Sequence, residues 1–428
     1  MAFVAGVRQC ALTFAGAMLA LACNVESPVP GGGGAGGQAG AGGGQGGAGE
    51  AGAATGGGGS SEVAFGLNDV SVLFPLPETE DSLDVLRLDS SGSGGPLLPE
   101  NLYEQLDVFT KASSFDYGSW IVVAARIDPC FPELKNLTEA PALCRRQLRL
   151  VAQPYAVAPN TLRLEAFDQG LHLLYDLSET EFEQALSAWH AARTEPFGDA
   201  DLPLGVHPTL MLEGLNGSFG TALREVIQSY AGAGTLSQLT FMRGRGTEWE
   251  FGGFKVVAGA LSPIQIHGLD PVATRVTFSA QSELGPYGVE PLSPESATLM
   301  SLAGELQGEP PGELVLTAND LAIKQAFQLT LEIENPTAFN PDTTDCASCH
   351  FASRARERAR SLGHSPSGLS AYENDAFNLS LGQPKEQQAD IFQLRAFGWK
   401  GTEPVFIRRT INESAVVAAV LNQRSLSP

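Results

Sequence analysis

Residues 346–350 read Cys-Ala-Ser-Cys-His, the CxxCH spacing that attaches c-type haem. The spacing has a physical reason. Two thiols so placed can add to the two vinyl groups on one edge of a porphyrin. The imidazole directly after the second thiol then falls under the iron, where a ring nitrogen can serve as an axial ligand. With six cysteines and six histidines in 428 residues, chance gives this pattern in roughly one such chain in a thousand. A zinc centre from Cys346, Cys349, His350 and His364 is awkward, because the adjacent Cys349 and His350 cannot easily bind one tetrahedral ion. The other alternative is a Cys346–Cys349 disulfide without haem.

In this motif, and in the helix expected after it, the chain resembles the c-type cytochromes. The resemblance implies covalent haem c, held by thioether bonds from Cys346 and Cys349, with His350 as proximal iron ligand. It implies electron transfer with a redox partner protein rather than bond-making on a substrate. Two departures argue against the class I cytochrome c fold. No Met follows position 300, and Phe327–Glu334 reads as a strand leading into Asn335-Pro336, where a helix usually precedes the motif. The sixth iron position stays open. His364, downstream of the motif, would give bis-histidine ligation and a lower potential than His/Met. Met300, Met242 or Met211, or an upstream histidine, could reach back from the body. A vacant position would admit small ligands or peroxide.

Other elements must frame that segment. Arg354, Arg356, Arg358 and Arg360 follow the motif at a spacing that spreads them over more than one helix face. They read as a solvated helix, or as partners for haem propionates or an acidic docking protein. Residues 346–428 carry ten basic and seven acidic side chains, net +3, so residues 1–345 carry −25 of the total −22. Thr410-Ile411-Asn412-Glu413 reads as a capping box opening a helix through about Leu421. Phe397, Trp399 and Phe406 are candidates to shield a porphyrin and equally candidates for core.

The body from 62 to 340 reads as short strands bounded by Gly, Pro, Asn or Asp: Asp69–Pro75, Trp120–Ile127, Gln147–Val151, Gln238–Met242, Phe254–Val257 and Arg275–Phe278. Helices are expected at Ser178–Ala192, Ser218–Tyr230 and Ser293–Ala303, the last with Ser293 as cap and Pro294 in the first turn. No repeat of solenoid or propeller period is present. His172, His190, His207 and His267 are scattered singly and read as ordinary surface or core residues. No HExxH, GxSxG, GxxxxGK[ST] or DxDxDG pattern occurs.

The N-terminus is an address. Arg8 is followed by an uncharged, mostly apolar stretch to Ala22, of signal-peptide length. Ala20-Leu21-Ala22-Cys23 resembles a bacterial lipobox, which implies lipidation at Cys23 and a membrane anchor built on acyl chains. Asn24, in place of Asp, leans towards the outer membrane. The alternative is a plain secretory signal with an incidental Cys23. Eighteen of the 49 glycines fall in residues 31–60. Such a segment cannot offset backbone ordering by burial, and as a coil it spans roughly 30 Å. In an exported chain Cys130 and Cys144 are expected to form a disulfide, contributing about 3 kcal/mol by loop closure.

Composition closes off other classes. Net charge −22 argues against a nucleic-acid binder, and no apolar run suits a multi-pass membrane protein. With 43% hydrophobic and 17% charged residues, the chain can bury a core. The expectation is a signal peptide at 1–22, a tether at 23–61, an α+β, mainly β body with a few covering helices at 62–340, and a small irregular or helical haem segment at 341–428. The function expected is electron transfer by a tethered monohaem cytochrome, facing the periplasm or cell surface. The alternatives are an open-site haem enzyme or sensor, and a non-catalytic surface-binding lipoprotein.

Overall fold

A computed structural model of the chain describes residues 65–79, 84–110, 115–129, 145–193, 202–245, 248–266, 269, 273–278, 287–290, 293–303, 320–340, 343–361, 363–377, 379 and 396–423. The expected signal peptide and tether, Cys23, Cys130, Cys144 and His267 lie outside the described residues. Residues 61–428 make one compact unit.

The fold is α+β, built on a ten-stranded antiparallel sheet. Its strands are β1 (Ser71–Leu73), β2 (Trp120–Asp128), β3 (Arg146–Val157), β4 (Leu164–Ala166), β5 (Gln169–Leu177), β6 (Leu236–Arg245), β7 (Glu248–Val257), β8 (Ala260–Pro263), β9 (Ala273–Phe278) and β10 (Tyr287–Glu290). The order is β1-β2-β3-β5-β6-β7-β9-β10, with β4 on β3 and β8 on β7. Strand alternation gives the sheet two unlike faces. Register aligns Leu150, Leu173 and Leu239 across β3, β5 and β6 on one face. On the other face it aligns Val151, His172 and Thr240, and beside them Arg149, Leu174 and Gln238.

The leucine face is covered by α1 (Glu179–Ala192) and α2 (Ser218–Tyr230). Phe182, Leu186 and Trp189 of α1 and Phe219, Leu223 and Ile227 of α2 bury into the core at helical spacing. Ser178 starts α1 with a capping box, its hydroxyl accepting from the Glu181 N–H while that carboxylate accepts from the Ser178 N–H.

The chemistry-bearing face is framed by four further helices: α3 (Pro294–Ala303), α4 (Asp320–Ile333), α5 (Cys346–Ser361) and α6 (Arg408–Gln423). Between α5 and α6 a hairpin forms from β11 (Phe397–Lys400) and β12 (Glu403–Phe406). The Gln153 amide straps it to β3. Its Oε1 accepts from the Trp399 N–H at 2.7 Å, and its Nε2 donates to the Trp399 carbonyl at 3.0 Å. Gly398 permits that approach. It sits at φ +158°, and a Cβ there would lie 2.4 Å from Gln153 Oε1.

Three expectations need correction. Phe327–Ile333 belongs to the helix α4, with Glu334 just after it, and not to a strand, so a helix does precede the motif. Read over those eight residues, the chain alternates apolar and polar. Over the whole element the buried set is Ile323, Ala326, Phe327, Thr330 and Ile333, which is helical spacing. Thr410 does not cap α6, which begins at Arg408. Its hydroxyl instead donates to the Ala396 carbonyl at 2.6 Å, and Glu413 is engaged by arginines. Asp69–Pro75 opens in a helical turn, Leu67–Val70, before the short β1.

Candidate functional site

The motif opens α5, and Asp345 sets where that helix begins. Its carboxylate is fully buried and accepts from the Ser348 N–H at 2.9 Å, the Ser348 hydroxyl at 2.6 Å, the Ser296 hydroxyl at 3.2 Å and the Ser293 hydroxyl. This is an N-cap that also docks α5 onto the start of α3. Cys346, Cys349 and His350 then fall at i, i+3 and i+4, on one helix face. Ala347, Phe351, Ala352 and Ala355 meet Met242, Trp249, Phe251 and Leu299 in an apolar cluster, which fixes how α5 is rotated.

Both cysteines are unpaired thiols, half-buried. Burial, then the Asp345 charge, pushes the Cys346 thiol up to about 12. Burial does the same for Cys349, to about 12, against the pull of Arg409. A redox-active CxxC at a helix N-terminus works through a depressed thiol pKa. Here burial and Asp345 act the other way.

The loop that delivers the chain to Asp345 is clamped by α6. Arg409 donates through Nη1 to the carbonyls of Ile333 (2.8 Å) and Asn335 (3.2 Å), and through Nη2 to that of Phe339 (2.6 Å). Its Nε donates to Glu413 at 2.7 Å. Asn412 adds a bond to the Glu334 carbonyl at 2.8 Å. Glu413 reaches on to Arg126 of β2 at 2.8 Å. Burial alone would raise the Glu413 pKa, but Arg409, Arg126 and Arg149 together hold it down at about 2. One charged chain thus joins the sheet, α6 and the loop before the motif.

Cys346, Cys349 and His350 face a cavity of about 210 Å³. The opposite wall is the sheet, with Arg149, His172, Leu174, Gln238 and Thr240; Arg409, Thr410 and Glu413 close it from α6. His350 packs on Phe251 of β7, ring centroids 4.6 Å apart. Burial, followed by the influence of His350 and Arg149, lowers the His172 pKa to about 4, so its imidazole is neutral at pH 7.

The structure therefore brings Cys346, Cys349 and His350 together, but not His364. That residue follows the far end of α5, and from His350 to Ser361 the helix rises about 16 Å. His364 does not line the cavity. Nor does the arginine run form a solvated face. Arg354 and Arg356 are buried, and Arg356 bonds Glu334 at 2.7 Å and Thr330 at 2.9 Å, fastening α5 to α4. Arg360 pairs with Glu357. Phe397, Trp399 and Phe406 join the main core, while their sequence neighbours Ala396 and Ile407 reach the cavity. Met211 is 62% exposed, and Met242 is 1% exposed in the apolar cluster beside the motif. His207 stacks on Phe219, and His190 meets Phe65 edge-on. Sequence reasoning missed His172, Asp345 and Arg409. Asp345 carried a readable signal, an Asp directly before a helix with Ser at its third position.

The donor set fits covalent haem. Two reduced thiols and an imidazole share one helix face and one cavity. Among the described residues no three His, Cys, Asp or Glu side chains are grouped to hold a bare metal ion. At about 210 Å³ the cavity is smaller than the roughly 300–1,000 Å³ of ordinary ligand pockets. A bound macrocycle therefore requires rim side chains to swing aside; Arg145, whose side chain is 36% exposed, is one of the lining residues.

No family model matches the chain, and neither a curated protein nor a solved structure matches it.

Proposed function

We propose that this chain is a membrane-tethered monohaem c-type cytochrome that passes electrons to a redox partner protein at the cell surface or in the periplasm. The observation that carries the proposal is the shared face of Cys346, Cys349 and His350 on the first turns of α5, opening into one cavity. Cys346 and Cys349 would hold the haem through thioether bonds, and His350 would offer an imidazole nitrogen to its iron. When bound, haem c supplies a one-electron couple. Asp345 fixes the start of the helix, so that both thiols and the imidazole keep their common face. Arg409, by clamping the preceding loop, keeps that helix seated against the sheet. The lipobox-like Ala20-Leu21-Ala22-Cys23 supports an acyl anchor and export, the compartment in which c-type haem is attached. Among the described residues no helix is long and apolar enough to cross a membrane.

The test is export of the full chain in a host with c-type maturation machinery, beside a Cys346→Ala/Cys349→Ala control. Peroxidase stain that stays with the denatured chain, disappears in the control and accompanies a reversible one-electron couple in voltammetry is the expected result. A colourless chain in such a host overturns the proposal.

A further inference from the structure

The strand β5 carries a histidine that the donor set does not use. Gln169–Leu177 alternates, and Leu171, Leu173 and Tyr175 go into the main core. His172 and Leu174 therefore project to the other face, and both line the cavity into which Cys346, Cys349 and His350 open. The two imidazoles are close enough to influence each other electrostatically. Among the described residues, no side chain or backbone group hydrogen-bonds either ring nitrogen of His172. Strand geometry makes its position firm. β5 is paired on both edges, to β3 and to β6, and Val151 and Thr240 flank His172 in register. A half-buried imidazole whose ring nitrogens no protein group occupies, on a strand held on both sides, presents a free nitrogen lone pair to the cavity from a firm position.

We infer that His172 is the second axial ligand of the haem iron, across the cavity from His350, so that the centre is bis-histidine and six-coordinate. This rests on the haem reading above. It assigns the ligand to the body of the protein rather than to the segment after the motif. The haem would then join two parts of the chain distant in sequence, with its thioethers on α5 and its second imidazole on the sheet. Met242 is the competing donor, because it too is buried beside the motif. It belongs to the apolar cluster, however, and does not line the cavity.

The test uses the full chain matured with haem and compares wild type with His172→Ala, His172→Met, Met242→Leu and His364→Gln. Covalent attachment is read on a stained denaturing gel, and iron ligation by absorption and electron paramagnetic resonance. The expected wild-type signal is low-spin ferric iron with two imidazoles and no far-red thioether band. His172→Ala should keep its stain, turn high-spin, bind carbon monoxide when reduced, and return to low spin on adding free imidazole. His172→Met should raise the reduction potential. Met242→Leu and His364→Gln should leave the ferric spectrum unchanged. A stained His172→Ala protein that stays low-spin overturns this inference and leaves the haem reading standing. So does loss of low spin in Met242→Leu or His364→Gln. If His172→Ala fails to fold, an unchanged spectrum and potential in His172→Met overturns the inference alone. Absence of stain in the wild type overturns both.

Discussion

The two faces of the central sheet are made by the same strands and do opposite work. Leu150, Leu173 and Leu239 line up on one face, under two amphipathic helices, in a mainly apolar core. One residue along each strand, the other face carries Arg149, His172 and Thr240, and its covering helices bring Cys346, Cys349, His350, Arg409 and Glu413. The first face contributes stability by removing hydrocarbon from water. The second is held by charge: Glu413 joins Arg126 and Arg409, and Arg149 pairs with the buried Asp128 at 2.9 Å. Polar groups so placed cost desolvation, which their pairing offsets only while the set is complete. A sheet can therefore separate scaffold from site without a domain boundary, by strand alternation alone.

That separation can be broken from either side. The largest stability effect is expected at Glu413→Gln, which leaves Arg126, Arg149 and Arg409 without their shared counter-charge. Urea unfolding should show a loss of about 3–5 kcal/mol, together with weaker seating of the loop at 333–339. Leu173→Ala, on the opposite face, should cost about 2–5 kcal/mol. The ferric spectrum of the folded Leu173→Ala fraction should match wild type, because neighbouring His172 points the other way. Asp345→Ala should lower stability by about 0.5–2 kcal/mol through the lost cap, and should reduce the yield of covalent haem as the thiols lose their register. His364→Gln should lie within about 0.5 kcal/mol of wild type.

Acid provides a reversible version of the first experiment. The Glu413 pKa in the folded chain is held at about 2, below its unfolded value of about 4.3. The folded state therefore binds its proton less readily than the unfolded state does. Its contribution is complete above the unfolded value, declines as pH falls towards the folded one, and is gone below it. Unfolding midpoints measured between pH 6 and pH 2 should fall more steeply in wild type than in Glu413→Gln.

Legibility in the sequence followed the range of the interactions. The motif was readable because its chemistry is local to five residues. Helices α1 and α2, and six of the ten sheet strands in part, were readable from period and turn residues, as at Ser178 and around Trp120–Asp128, whereas β4, β5, β8 and β10 were not. α4 was not, because Phe327–Glu334 alternates by chance and only the residues before it reveal the helical period. His172 was not, because its partners Val151 and Thr240 are set by strand register, and His350 lies far off in the chain. Arg356 reads as one of four alternate arginines until Glu334 appears beside it. The Thr410–Glu413 pattern matches a cap, yet tertiary bonds to Ala396 and Arg126, and an i,i+4 pair with Arg409, claim those side chains.

The central claim is that Cys346 and Cys349 hold one haem covalently. The most direct measurement is mass spectrometry of the proteolytic peptide containing residues 346–350, from full chain exported with c-type maturation machinery. The account predicts that this peptide carries the mass of one haem through two thioether links, and that the mass is absent from the Cys346→Ala/Cys349→Ala chain. A peptide bearing two bare thiols, or a Cys346–Cys349 disulfide, would contradict it.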